Sequence, residues 1–416
     1  MRVMMRLWKE QKARYEIFSA NARKFIVSNL LFSLFGPFYL IFSNTFIFSA
    51  SKGNLEMNLL YCIFNFAGII AGFVLTGYAS ARIHIKTLLL GGAWLCFLTI
   101  VLMFSLPQHD ISWFSIVFYG ASTGLGVGIY WAARNYLTLV LTNKTNRDFF
   151  SGIDFIFISL GRVITPFVIG IYIGKGIKMG WFSPAFAYRS TLLLAFILVV
   201  SLSIITFRVK HLSVRLGKFI YSSYSKEWQK VRLLLMTLGF FQGTIYLIPT
   251  VFIMKFVGGE SFVGTVNAIG YLIAVVIVYV ISSKSGVEHR TKVVSLGSWI
   301  LTIGAIAFAL LFNHNVVLGT YILIFLMFLA EPILNFPIRA TVLEVIKVAK
   351  KQDCRKSYAY ILDVEAFTAI GRIASLTVFY LLYVVLPVSF AIVIFILIMA
   401  ATQYLCIPFS KRINGA

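Results

Sequence analysis

The stretch YWAARNYLTLVLTNKTNRDFFSGIDFIFISLGRVITPFVIG, residues 130–170, contains two apolar segments joined by a short charged hinge. Arg134, Asp154 and Arg162 lie inside the apolar segments rather than in the hinge. A charge in hydrocarbon costs several kcal/mol and is rarely retained without a partner or a water-filled cavity to face. The stretch therefore predicts membrane-spanning helices whose charged residues serve a function.

A similar arrangement returns about half a chain later. Arg339 precedes the charged hinge KKQDCRKS, and Asp363, Glu365 and the pair Gly371-Arg372 follow it. GRVI at 161–164 is matched by GRIA at 371–374. Three further matches, at offsets of slightly more than 200 residues, pair Gly36-Pro-Phe-Tyr39 with Gly243-Thr-Ile-Tyr246, Asn65-x-x-Gly68 with Asn267-x-x-Gly270, and Lys86-x4-Gly91 with Lys292-x4-Gly297. Their common order indicates a duplicated unit.

The composition excludes an ordinary soluble protein. Hydrophobic residues make up 60% of the chain and charged residues 12%, against roughly half and a quarter in globular domains. The net charge of +23 comes from basic residues placed between apolar runs, which fixes topology in membrane proteins and argues against nucleic-acid binding. The four cysteines and five histidines show no metal-ligand spacing, so we expect no metal and no cofactor.

Apolar runs long enough to cross a bilayer predict an all-α integral membrane protein of twelve transmembrane helices in two pseudo-symmetric six-helix bundles. We number them spans 1–12, at residues 25–48, 58–80, 87–106, 112–140, 151–174, 185–207, 231–256, 262–283, 292–313, 316–346, 358–384 and 387–408. The predicted organisation is a basic N-terminal segment (1–24), a first bundle (25–207), a basic linker (208–230), a second bundle (231–408) and a tail (409–416).

The basic residues predict the orientation. With the N-terminus inside, nearly all Lys and Arg residues between spans lie on one side, and Lys52, Lys175 and Lys178 are the main exceptions. The positive-inside rule then places both termini and the linker in the cytoplasm of a cell (inner) membrane.

Twelve spans in two parallel halves, joined by a basic linker, resemble the major facilitator superfamily of secondary transporters. The superfamily's loop pattern Gly-x-x-x-Asp-Arg-x-Gly-Arg-Arg/Lys is partly matched by residues 77–86, GYASARIHIK, where Ala81 replaces the acidic residue. GRVITPFVIG at 161–170 resembles the antiporter motif Gly-x-x-x-Gly-Pro-x-x-Gly-Gly, and it equally suits helix packing. The phrases YWAARNYLTL and RDFFSGID look like the YqgE-like bacterial branch of the superfamily.

The resemblance implies that spans 4, 5, 10 and 11 close the cytoplasmic end when the cavity faces outward. Arg134 and Arg339 end spans 4 and 10, so we expect them to form a cytoplasmic gate with Asp154, Asp363 and Glu365 across the two halves. The alternative is that the arginines cap their own helices or snorkel to headgroups. Asp154 and Glu365 lie eight and seven residues before Arg162 and Arg372. That is ~10–12 Å along the axis, so we expect no direct salt bridge within either helix.

At ~17 Å into its span, Arg162 lies near mid-bilayer, and Arg372 is similarly deep. We predict that both line the substrate cavity, where they bind an anionic group or pair with an acid. For proton coupling, the candidates are Glu331, Asp154, Asp363 and Glu365, because a buried carboxyl suits a proton carrier. The polar and aromatic residues predicted to line the cavity are Tyr39, Asn44, Tyr130, Trp131, Gln242 and Tyr246.

These features predict a secondary active transporter of a small solute, anionic or carrying an anionic group, that works by alternating access with proton coupling. We expect a monomer with a small-molecule substrate, the lipid bilayer and protons as its partners. The sequence lacks HExxH, Gly-x-Ser-x-Gly and P-loop motifs, which argues against an enzyme. Alternatives left open are a lipid or amphiphile flippase, a drug-type efflux antiporter and a transporter-like sensor.

Overall fold

The computed structural model describes residues 18–106, 111–142, 147–209, 225–284, 290–349 and 357–414. Span 1 comprises Ala20–Pro37, the π-helical turn Phe38–Phe42 and Ser43–Ala50. Spans 2–6 are Leu55–Ala79, Ile85–Ser105, Trp113–Leu141, Arg147–Lys178 and Pro184–Phe207. Span 7 comprises Lys226–Gln242, Ile248–Phe252 and the π-helical turn Ile253–Val257. Spans 8–12 are Glu260–Lys284, Arg290–Leu311, Val316–Ala349, Ser357–Val385 and Val388–Thr402, followed by Gln403–Leu405 and the helix Cys406–Asn414.

Side-chain caps explain several of the helix starts. Asn54 accepts a hydrogen bond from the backbone of Glu56 at the start of span 2, and Ser225 does the same for Trp228 at the start of span 7. Ser112 forms a reciprocal capping box with Ser115 before span 4. Such caps satisfy backbone N–H groups that have no partner within the helix.

Span 7 is the one predicted helix that the structure breaks. Eleven segments among the described residues are long and apolar enough to cross a membrane, whereas residues 231–256 do not form one helix. The chain leaves the helix after Gln242, turns through residues 243–247 and resumes at Ile248. Gly243 has a low helix propensity, and Pro249 removes a backbone donor and clashes with the carbonyl four residues earlier. The first helix of each half is therefore irregular near mid-span.

The two bundles meet along two pairs of helices, span 5 with span 8 and span 2 with span 11. Consecutive helices joined by short connections run antiparallel, so the molecule has two ends. We call the end where span 6 stops and span 7 begins the linker end, and the opposite end the far end. Large apolar side chains such as Phe114, Leu193 and Leu310 are exposed around the outside, as expected of a surface that faces lipid.

The far end is closed by close packing between the halves. A Cβ atom added to Gly170 on span 5 would lie 2.7 Å from the Cα of Gly264 on span 8, and one on Gly174 would lie 2.5 Å from the backbone nitrogen of Ser261. Only glycine permits such an approach of two helix backbones. Part of the predicted antiporter motif, Gly170, thus acts in packing.

The predicted N-terminal segment, residues 1–24, falls outside the described residues up to residue 17, and the linker does so over 210–224. Within the described part, span 1 begins at Ala20 and span 7 at Lys226, a few residues before the predicted starts. The final helix continues to Asn414, into the predicted tail. The division of the chain into two bundles, a linker and terminal segments remains a prediction.

Candidate substrate cavity

A cavity of about 460 Å³ lies between the two bundles. Its lining comes from both halves and extends to Arg134, Asp154 and Arg339, toward the linker end. Among the residues that the structure describes, the charged residues in this lining are Arg134, Arg162, Arg339, Arg372, Asp154, Glu331 and Glu365. Four arginines and three acids leave a formal excess of one positive charge.

Arg162 is the cation that best suits a ligand. Its Nη2 donates to Tyr246 Oη at 3.3 Å, and its guanidinium carbon lies 5.8 and 5.2 Å from the ring centres of Tyr246 and Tyr271. Glu331, which carries the opposite charge, lines the same cavity. Among the described residues, no carboxylate oxygen lies within 4.0 Å of its nitrogens. The guanidinium therefore faces the cavity without a direct counter-ion.

The repeat-related Arg372 has a different environment. Its Nη1 forms a salt bridge with Glu365 Oε1 at 2.7 Å, and its Nη2 donates to Gln242 Oε1 at 2.8 Å. The expectation that no salt bridge forms within the helix is therefore wrong here, because a long arginine side chain points back toward the N-terminus of its own helix. Arg372 Nε is buried without a partner among the described residues.

Asp154 and Asp363 are bound within their own halves. Asp154 pairs with Arg134 and accepts a hydrogen bond from Asn29 Nδ2 at 2.9 Å. Asp363 is fully buried and accepts hydrogen bonds from Trp228 Nε1 at 2.5 Å and from Nε and Nη2 of Arg232 at 2.7 and 2.9 Å. The described ion pairs thus do not include the predicted pairs across the halves, which we assigned to an outward-facing state and which remain predictions.

Glu331 and Arg339 are connected along span 10. Asn335 Nδ2 donates to Glu331 Oε1 at 3.0 Å, and Arg339 Nε donates to Asn335 Oδ1 at 2.9 Å. The spacing of four residues places the three side chains on one helix face. Arg339 is exposed, so this line of polar groups runs from the cavity toward the linker end.

Most of the aromatic and polar predictions fall in the cavity lining. Its members include Tyr39, Asn44, Trp131, Gln242 and Tyr246. Tyr130 lies outside the described lining, because its ring is completely buried and stacks on Phe32. Asp363, which is predicted for the gate and for proton coupling, also lies outside the described lining, and both roles remain predictions. Both side chains face the packed interior of their own bundle.

Several residues that line the cavity or bind its neighbouring charged groups could not be predicted from the sequence. Tyr271 lines the cavity beside Arg162, and Arg232 holds Asp363. At the far end, Tyr188 Oη on span 6 donates to Glu260 Oε1 on span 8 at 2.9 Å and lies 3.0 Å from Thr45 Oγ1 on span 1. This buried carboxylate joins the two halves where their backbones pack most closely. Glu260 was not predicted as a functional residue because it falls in the predicted loop before span 8.

The sequence matches the profile of the Major Facilitator Superfamily over residues 25–351. The chain belongs to this superfamily, and this membership points to a membrane transporter rather than an enzyme.

Two bacterial proteins are similar in sequence. The uncharacterized protein YqgE of Bacillus subtilis (strain 168) is 28% identical over 292 residues, 67% of this chain and 65% of that protein. An uncharacterized protein in the sodM 3′ region of Geobacillus stearothermophilus is 32% identical over 105 residues, 25% of this chain and 47% of that protein. The chain therefore matches less than two thirds of the length of either relative.

Solved transporter structures share the fold. A bacterial homologue of the iron transporter ferroportin in an inward-facing state aligns over 95% of this chain and 99% of its own, with a TM-score of 0.69 and 14% identity. A D-xylose-proton symporter aligns over 93% and 98%, with a TM-score of 0.67 and 14% identity. Identities this low support the common fold alone.

Proposed function

We propose that this protein is a secondary active transporter that moves a small solute carrying an anionic group by alternating access. The family, the fold and a cavity between two bundles support the proposal. The closed far end and the extension of the cavity toward the linker end correspond to one of the two states that such a mechanism requires.

The proposed anionic character of the solute rests on the environment of Arg162. It faces the cavity and, among the described residues, has no carboxylate within 4.0 Å. A desolvated guanidinium needs a counter-charge, and its fork of N–H donors fits a carboxylate or phosphate in a bidentate manner. A substrate anion can supply that charge when it binds.

We propose Glu331 as the first candidate for the residue that carries the coupled proton, and Glu365 as the second. Protonation of Asp363 or Asp154 would disrupt a carboxylate that accepts from two side chains at once, Arg232 and Trp228 for Asp363 and Arg134 and Asn29 for Asp154. Glu331 accepts from a neutral amide, and Glu365 has the most exposed carboxylate of the three described ion pairs, at 23%. A carboxylate that faces the cavity and has few charged donors exchanges its proton with the least structural cost.

The proposed orientation places the linker end in the cytoplasm of a cell (inner) membrane. The basic residues between the spans lie mainly at this end, including Arg82, Lys86, Arg208 and Lys411. The positive-inside rule then makes the described conformation inward-facing. One chain encloses the cavity, so we propose that the monomer is the transporting unit.

A second candidate function is export of amphiphilic molecules, as in drug-type efflux or lipid flipping. The observation that favours it is the aromatic part of the lining, which includes Phe66, Phe73, Trp131 and Phe336. An exporter of cationic drugs is disfavoured, because the charged lining has an excess of positive charge.

Flux measurements in liposomes test the proposal. Purified protein is reconstituted, and uptake of small anions, cations, sugars and a fluorescent lipid is measured with and without an imposed pH gradient. We expect anion flux that responds to the gradient in the wild type and loses this response in Glu331→Gln. Flux of cations or neutral sugars with no anion flux would contradict the proposal, and movement of the lipid alone would favour a flippase.

A further inference from the structure

The surroundings of Arg162 restrict the class of substrate further than the requirement for an anionic group does. We infer that Arg162, Tyr246 and Tyr271 form a site for one carboxylate, and that the substrate is an organic monoanion with an apolar or aromatic body. The inference rests on the proposed function and specifies the class of solute that the same cavity accepts.

Arg162 has donor capacity for a single carboxylate. A guanidinium carries five N–H donors in a fixed plane, and one nitrogen of Arg162 is engaged by the Tyr246 hydroxyl. Both tyrosine rings lie within 6 Å of the guanidinium carbon, at 5.8 and 5.2 Å, which is the range of a cation–π contact. The rings hold the guanidinium in place while its remaining N–H donors can bind a carboxylate in a bidentate manner.

Arg372 does not provide a second free cation. Glu365 and Gln242 occupy its two terminal nitrogens, and its Nε is buried rather than directed at open space. The related arginines of the two repeats have thus diverged, one to bind and one to join spans 7 and 11.

The charge of the cavity leads to the same conclusion. Within the described residues, its lining carries four arginines and three acids. With all three acids ionised, one negative charge neutralises this set, whereas a dicarboxylate or a phosphate dianion would leave one negative charge without a counter-charge in a site shielded from bulk water, which is costly.

The rest of the lining is suited to an apolar body. Phe66, Phe73, Val127, Ile245 and Phe336 contribute apolar surface to the same cavity. A volume of about 460 Å³ is large for acetate or phosphate and falls in the range of roughly 300–1,000 Å³ that is typical of sites for larger organic ligands. The body of the substrate would therefore lie against aromatic and aliphatic side chains.

A matched series of ligands tests the inference. Binding to the purified full-length protein is measured by calorimetry for phenylacetate, acetate, phenylmalonate, phenyl phosphate, phenylalanine and phenethylamine. We expect phenylacetate to bind about ten-fold or more tightly than each of the others, a difference of about 1.4 kcal/mol. Arg162→Gln should remove this preference, and Tyr271→Leu should weaken it more than Tyr271→Phe, because only the latter keeps the ring.

Each other outcome overturns the inference in a distinguishable way. Stronger binding of phenylmalonate or phenyl phosphate would reject the monoanion while leaving anion transport intact. Preference for phenylalanine would indicate a zwitterion held between Arg162 and Glu331. Binding of phenethylamine alone would reject both the inference and the anionic character of the proposed solute, whereas binding of no member of the series would overturn the inference alone. The melting temperature of each variant without ligand identifies loss of folding, and Arg162→Lys provides a second variant that keeps the charge.

Discussion

At the level of single residues, two acids of span 11 differ in their environments. Asp363 is inaccessible to solvent and holds Arg232, whose side chain is 13% exposed, together with the indole of Trp228. Glu365, two residues further on, lines the cavity. Residues this close in sequence therefore have separate tasks, because they point to different faces of the same helix.

Asp363→Asn should destabilise the protein by about 3–5 kcal/mol, because it removes one member of a buried ion pair and leaves the other unpaired. Thermal unfolding in detergent measures the effect. The matched control is Glu227→Gln, which changes an exposed acid in the first turn of span 7 and should lower the unfolding temperature far less. Equal stability of the two variants would show that Asp363 does not hold spans 7 and 11 together.

At the scale of helices, glycine contacts set the closure of the far end. A Cβ atom on Gly264 would lie 2.2 Å from the carbonyl oxygen of Pro166 on span 5. Because this neighbour is backbone, spans 5 and 8 must separate to accept a side chain. The hydrogen bond from Tyr188 to Glu260 supports the same closure from span 6.

Gly264→Ala should therefore shift the protein toward conformations that are open at the far end, and Tyr188→Phe should do so more weakly. The expected scale is about 1–3 kcal/mol, typical of coupling between conformational states. Distances between spin labels at the far ends of spans 5 and 8 report the shift. Gly91→Ala is the control, since its Cβ would meet nothing within 4 Å, and a distance distribution like that of the control would refute the role of Gly264.

Most helix positions could be predicted from apolar length alone. Span 11, for example, was expected at 358–384 and runs over Ser357–Val385. The break in span 7 was missed because its apolar run is continuous, although Gly243 and Pro249 carry the local signal. Partners such as Arg232 for Asp363 could not be predicted, since they depend on how distant helices pack.

At the scale of the whole molecule, the distribution of charge predicts which side each end faces. A cysteine introduced at Lys218, in the predicted linker, should react with a membrane-impermeant thiol reagent only after the cells are opened. Cysteine at Lys52, between spans 1 and 2, is the control and should react in intact cells. The reverse pattern would invert the proposed topology and make the described state outward-facing.

We propose that Arg162 binds the anionic group of the substrate. The most direct measurement is the concentration dependence of anion uptake into liposomes by Arg162→Lys, Arg372→Lys and Arg189→Lys. Arg189 donates to carbonyls of Phe104 and Ser105 outside the described cavity lining, so its variant controls for the loss of any arginine. We expect the half-saturating concentration to rise about ten-fold or more in Arg162→Lys, because lysine lacks the bidentate fork. Arg189→Lys should match the wild type, and Arg372→Lys should lower the maximal rate through loss of its bond to Gln242. Wild-type kinetics in Arg162→Lys would show that Arg162 does not bind the anionic group of the substrate.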